Sequence, residues 1–109
     1  MAKQIKFSYK GTEYTLEYTR KTIETMERQG FNLNKIADAP MTTLPTMFAG
    51  AFLAHHKFVK REVVEEIYES MTNKEELIGK LAEMYNEPIA ALMGEPEESE
   101  GNVEWGTNW

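Results

Sequence analysis

The chain has no cysteine, which excludes disulfides, thiolate metal sites and cysteine nucleophiles. No apolar run is long enough to cross a bilayer. The opening Met-Ala-Lys-Gln-Ile-Lys lacks the apolar stretch of a signal peptide, so a soluble intracellular protein without membrane contact is expected. Glycines at Gly11, Gly30, Gly50 and Gly79 are scattered and form no phosphate-cradling loop. Ser8, Ser70 and Ser99 have no nucleophile-elbow or triad context. No catalytic residue, cofactor site or metal site is therefore expected, and enzyme function is disfavoured. The formal charge of −6 argues against nucleic acid as a partner, because phosphate binding needs a basic face.

Basic residues are also missing from one end. Gly94 to Trp109 holds five of the eighteen acidic residues, none of the twelve Lys and Arg, and both tryptophans. Without this segment the charge moves from −6 to about −1, leaving a nearly neutral body and a strongly acidic arm. Such a segment carries too little apolar surface to offset its ordering entropy. Residues 1–94 are expected to form a single globular α+β domain, and 95–109 a flexible acidic tail ending in Trp.

Within the body, Lys3 to Tyr9 and Thr12 to Tyr18 both alternate apolar with polar, predicting a hairpin around Lys10-Gly11. A two-residue turn pairs Phe7 with Tyr14 and Ile5 with Leu16, which gathers the apolar side chains on one side of the ribbon. A lone hairpin is marginal in water, so that side must rest on the helices that follow. Thr19 is the expected N-cap of a helix over 20–29, with Gly30 as its left-handed terminator. A short helical turn is expected over 34–37, then a helix over 44–56 capped by Thr42 or Thr43 with Pro45 in its first turn. A further helix over 61–71 presents Val63, Val64, Ile67, Tyr68 and Met71. Asn73 with Glu76 fits a capping box for the last helix, which Pro88 should kink or split after Tyr85. The expected architecture is an N-terminal β-hairpin packed on a small bundle of about four helices, followed by a disordered acidic tail.

The polar clusters favour ordinary roles. His55 and His56 are adjacent, so on a helix they point about 100° apart and make no metal pair; a favourable charge at a helix C-terminus fits better. Glu62, Glu65, Glu66 and Glu69 read as the wet side of their helix. Lys57, Lys60 and Arg61 form a basic knot that reads as solvated, with docking of an acidic tail, its own or a neighbour's, as the alternative. The 44–56 helix, by contrast, is apolar almost all round. A small body rarely encloses such a helix, so Met47, Phe48 and Phe52 are expected to meet a partner or a second copy. Trp105 and Trp109 are the expected anchors of the arm.

Three stretches carry a resemblance. They are Tyr-Thr-Leu-Glu-Tyr-Thr-Arg-Lys-Thr at 14–22, Met-Phe-Ala-Gly-Ala-Phe-Leu-Ala-His-His-Lys-Phe-Val-Lys-Arg at 47–61, and Glu-Pro-Glu-Glu-Ser-Glu-Gly-Asn-Val-Glu-Trp at 95–105. On these the chain resembles a family of small bacteriophage and prophage proteins from tailed phages of Gram-positive hosts, regarded as tail assembly chaperones. Members are encoded between the major tail protein and the tape measure protein. The resemblance implies a non-enzymatic assembly factor that works in the host cytoplasm and is absent from the mature virion. Its implied partners are the tape measure protein and the major tail protein, with a homo-oligomer compatible with the apolar helix. The alternative is a structural virion protein, such as a head–tail connector or tail completion subunit. Mass spectrometry of purified particles separates the two, because only the structural part is retained.

Overall fold

Alternation in the first eighteen residues becomes an antiparallel hairpin of β1 (Ile5–Tyr9) and β2 (Thr12–Leu16). This computed structural model describes residues 3–94 and 103–109. The register pairs Ile5 with Leu16 and Phe7 with Tyr14, as the alternation requires. Lys10 and Gly11 both have positive φ (48° and 82°), the backbone of a tight two-residue turn whose twist matches the strands.

Helix α1 (Arg20–Arg28) starts at Thr19, whose hydroxyl accepts the Thr22 N–H at 3.1 Å while the Thr22 hydroxyl accepts the Thr19 N–H at 2.9 Å. These reciprocal bonds satisfy two donors at the helix entry. Gly30 follows with φ 92°. A 3₁₀ turn at Leu33–Ile36 leads into α2 (Pro40–Gly50). The described residues continue with α3 (Arg61–Ser70) and α4 (Lys74–Met93). The fold is thus α+β, a two-stranded hairpin on a small helical bundle.

Several local expectations are corrected. Helix α2 begins at Pro40 and ends at Gly50, earlier than 44–56. Pro40 takes the first helical position, where its ring presets φ and no N–H is needed, so neither Thr42 nor Thr43 is the cap. Pro45 then lies inside the helix. Beyond Gly50 the chain tightens into successive three-residue turns, with Ala51, Phe52 and Leu53 donating to Phe48, Ala49 and Gly50. Asn73 makes no side-chain cap; it adopts the left-handed conformation (φ 52°, ψ 52°), which turns the chain sharply between α3 and α4. Pro88 does not split α4, which runs as one helix of 20 residues.

The apolar face of the hairpin rests on the end of α2. Phe7 stacks on Tyr14 at 5.4 Å, and Tyr14 meets the edge of Phe52 at 5.8 Å. Phe52 contacts Phe48 at 5.2 Å, and Phe48 contacts Tyr68 of α3 at 5.1 Å. A second aromatic group joins Tyr18, Tyr85 and Phe31 beneath α4. Such edge-on pairs favour these geometries beyond simple area burial.

Candidate partner-binding surfaces

The helix expected to offer apolar surface is the centre of the core. Met47 and Phe48 have no solvent exposure and Phe52 only 2%. Three layers enclose them: the hairpin over Phe52, α3 over Phe48, and Tyr18, whose hydroxyl donates to the Met47 carbonyl. The expectation that these three residues meet a partner is therefore corrected. A helix without a wet side is enclosed here because the hairpin and helices α1, α3 and α4 converge on it.

The two histidines do something that adjacent positions alone do not suggest. The Thr15 backbone N–H donates to His56 Nε2 at 2.9 Å, so that ring must be neutral with its proton on Nδ1. His55 Nε2 bonds Glu17 Oε1 at 2.7 Å, and Gln4 donates to the same oxygen at 2.9 Å. The His55 bond, then Gln4, holds the Glu17 carboxyl below its ordinary value. The Glu17 N–H also donates to the Ala51 carbonyl at 3.0 Å. Together these bonds clasp the end of β2 to the turns that follow α2.

Other displaced groups likewise fasten the hairpin. Glu66 on α3 accepts from Lys10 Nζ at 2.6 Å and the Tyr9 hydroxyl at 2.7 Å, lowering its pKa and raising that of Lys10. Lys3 Nζ reaches Glu83 of α4 at 3.0 Å, and that bond lowers the Glu83 value. Burial raises both Tyr18 and Tyr85. Among the described residues no three His, Asp or Glu side chains gather as a metal site, and no helix is long and apolar enough to cross a membrane.

Among the described residues, and apart from an isolated Met41 near the start of α2, exposed apolar side chains lie in three places. The arm is one: Val103, Trp105 (84% exposed) and Trp109 (98%) occupy a segment with no helix or strand. The expected flexible tail falls partly on 95–102, which lies outside the described residues. The second is the end of α4, where Ile89, Leu92 and Met93 face solvent. There Ile23, Pro88, Ile89 and Leu92 line a shallow cleft of about 330 Å³, edged by Arg20, Glu24 and Glu27. The third is larger, about 610 Å³, and lies between α1 and the turns after α2. Leu53, Ala54 and Phe58 form its apolar part and Lys21 and Lys57 its charged edge. Phe58 itself is 94% exposed. None of the groups with displaced pKa values lines either cleft.

The sequence pattern singled out Trp105 and Trp109 as anchors but did not single out Phe58. The available signal was a large aromatic flanked by Lys57 and Lys60 outside any helical stripe.

One family profile, a domain of unknown function designated DUF5055, matches residues 1–109. The chain belongs to the DUF5055 family. No curated protein and no solved structure matches it. For this DUF5055 protein the surfaces themselves must therefore carry the functional argument.

Proposed function

We propose that this DUF5055 protein is a non-enzymatic tail assembly chaperone of a tailed phage or prophage, which binds the tape measure and major tail proteins during morphogenesis. The observation that carries this reading is the pair of exposed tryptophans on an arm rich in acid and devoid of Lys and Arg. Exposed indoles carry a large, rigid apolar area that becomes favourable only when a partner covers it. The surrounding carboxylates keep the unbound protein soluble and discourage unselective contacts. Ile89, Leu92 and Met93 are further exposed apolar side chains, at the end of α4. The resemblance over 14–22, 47–61 and 95–105 supplies the choice of client. Since Met47, Phe48 and Phe52 are enclosed, client contact falls to the arm and the end of α4.

Co-expression of the chain with the tape measure protein of the same genome tests the reading. The expected result is a marked rise in soluble tape measure protein, reduced when Trp105 and Trp109 are both changed to Ala. Unchanged solubility with the wild-type chain would reject the chaperone role.

A further inference from the structure

The two clefts on either side of α1 differ in charge. The cleft beside α4 is edged by Glu24 and Glu27, which repel an acidic segment. The larger cleft has an apolar part formed by Leu53, Ala54 and Phe58, with Lys21 and Lys57 on its edge and no acid among its lining residues. Its volume of about 610 Å³ falls within the range that accommodates a substantial organic ligand, about 300–1,000 Å³. Phe58 stands out from the body almost bare. An occupant suited to this cleft is an aromatic side chain on an acidic stretch of chain.

This protein carries such a stretch itself. Val103, Trp105 and Trp109 are exposed beside Glu104, and the preceding sequence adds four further glutamates and no Lys or Arg. We infer that Val103–Trp109 binds the Leu53–Phe58 cleft of its own chain, with an indole against Phe58 and Glu104 near Lys21 or Lys57. The described conformation, with both indoles in solvent, is then the undocked one of two. Reach is sufficient. Leu92, two residues before Gly94, lines the cleft on the opposite side of α1, so the arm has one helix to cross, about 10–12 Å with its side chains. Eight residues separate Gly94 from Val103, and such a length spans up to about 30 Å. A tether this short holds the segment at an effective concentration on the order of millimolar. An attraction too weak to join separate molecules therefore suffices within one chain. The inference does not depend on which client the protein serves, although any client segment entering the cleft must displace the arm.

Both tryptophans of the chain lie in this segment, so intrinsic tryptophan fluorescence of the full-length protein reports on it alone. The expected wild-type signal is an emission maximum blue-shifted from that of a free Val103–Trp109 peptide, with reduced quenching by acrylamide. Phe58→Ala should lower the docked-to-free ratio by about tenfold or more, as loss of a central aromatic contact does. The double charge reversal Lys21→Glu and Lys57→Glu should act in the same direction, and added salt should weaken docking of the wild-type chain. Phe58, Lys21 and Lys57 are all exposed, so circular dichroism should be unchanged in each variant. Wild-type emission and quenching identical to the free peptide would overturn the inference, as would a shift insensitive to both variants. A shift that disappears on dilution would place the arm on another copy and overturn the same-chain assignment.

Discussion

His56 shows how much a single ring can hold. Its Nε2 is the partner of the Thr15 N–H, a part-buried donor in β2. Replacing His56 with Ala removes that acceptor, and an unsatisfied buried donor costs about 1–3 kcal/mol. For a domain of this size each 1 kcal/mol moves Tm by about 4–8 °C, so differential scanning calorimetry should show a clear drop. Glu17 adds a pH dependence. Its folded pKa lies below the ordinary 4.5, so its bonds to His55 and Gln4 stabilise the fold fully above that value. The contribution is lost as pH falls through the lower folded value. Denaturation across the acid range should therefore show a steeper loss in the wild type than in Glu17→Gln, with the difference confined below about pH 4.5.

The same pair shows where sequence reading stopped. Adjacent histidines excluded a helical metal pair on spacing alone, but their actual partners, Thr15 and Glu17, are about forty residues distant. No local pattern carries that information. The Thr19–Thr22 cap was legible in part, because Thr19 was expected as the N-cap from its place before the helix.

At the scale of elements, α4 holds a tension between chain chemistry and packing. Pro88 has no N–H, so the Met84 carbonyl loses its helical partner, and the proline ring crowds the preceding turn. The helix persists because Leu77, Leu81, Met84 and Tyr85 anchor its buried face before the proline is reached. Pro88→Ala should therefore stabilise the protein, by up to about 3 kcal/mol, seen as a raised denaturant midpoint with unchanged m value. Helix α2 is the opposite case. Its side chains pack well, and a Cβ at Gly50 would lie 2.5 Å from Met26 Sδ and Cε, so the flexible end of that side chain would have to shift. The hairpin was fully legible as an element, since period-two alternation and the Lys10-Gly11 turn together determine its register. The start of α2 was misplaced because Pro40 reads equally as a loop closer or as a first helical residue.

Across the whole molecule, the aromatics that fill the core and those that face solvent are separate residues. Phe48 touches Phe52 and Tyr68 and is wholly buried, whereas Trp105 and Trp109 are almost bare. Phe48→Ala should cost about 3–5 kcal/mol and abolish or severely weaken folding. Changing both tryptophans to Ala should leave the fold intact and lower Tm only by the loss of arm docking, while reducing capture of the client. Thermal unfolding alongside the co-expression assay measures both outcomes.

Local residue patterns are enough to set the hairpin and its register, the stripes of the helices, the cap at Thr19 and the charge imbalance of the arm. Each of these is a matter of neighbours within a few residues, where backbone geometry and side-chain period act directly. It takes the packing of distant elements to enclose Met47, Phe48 and Phe52, to bring His55 and His56 onto a strand, and to set Phe58 beside a lysine-edged cleft. Those outcomes depend on which faces of distant elements meet, and an apolar helix surface is equally satisfied by its own hairpin or by another protein.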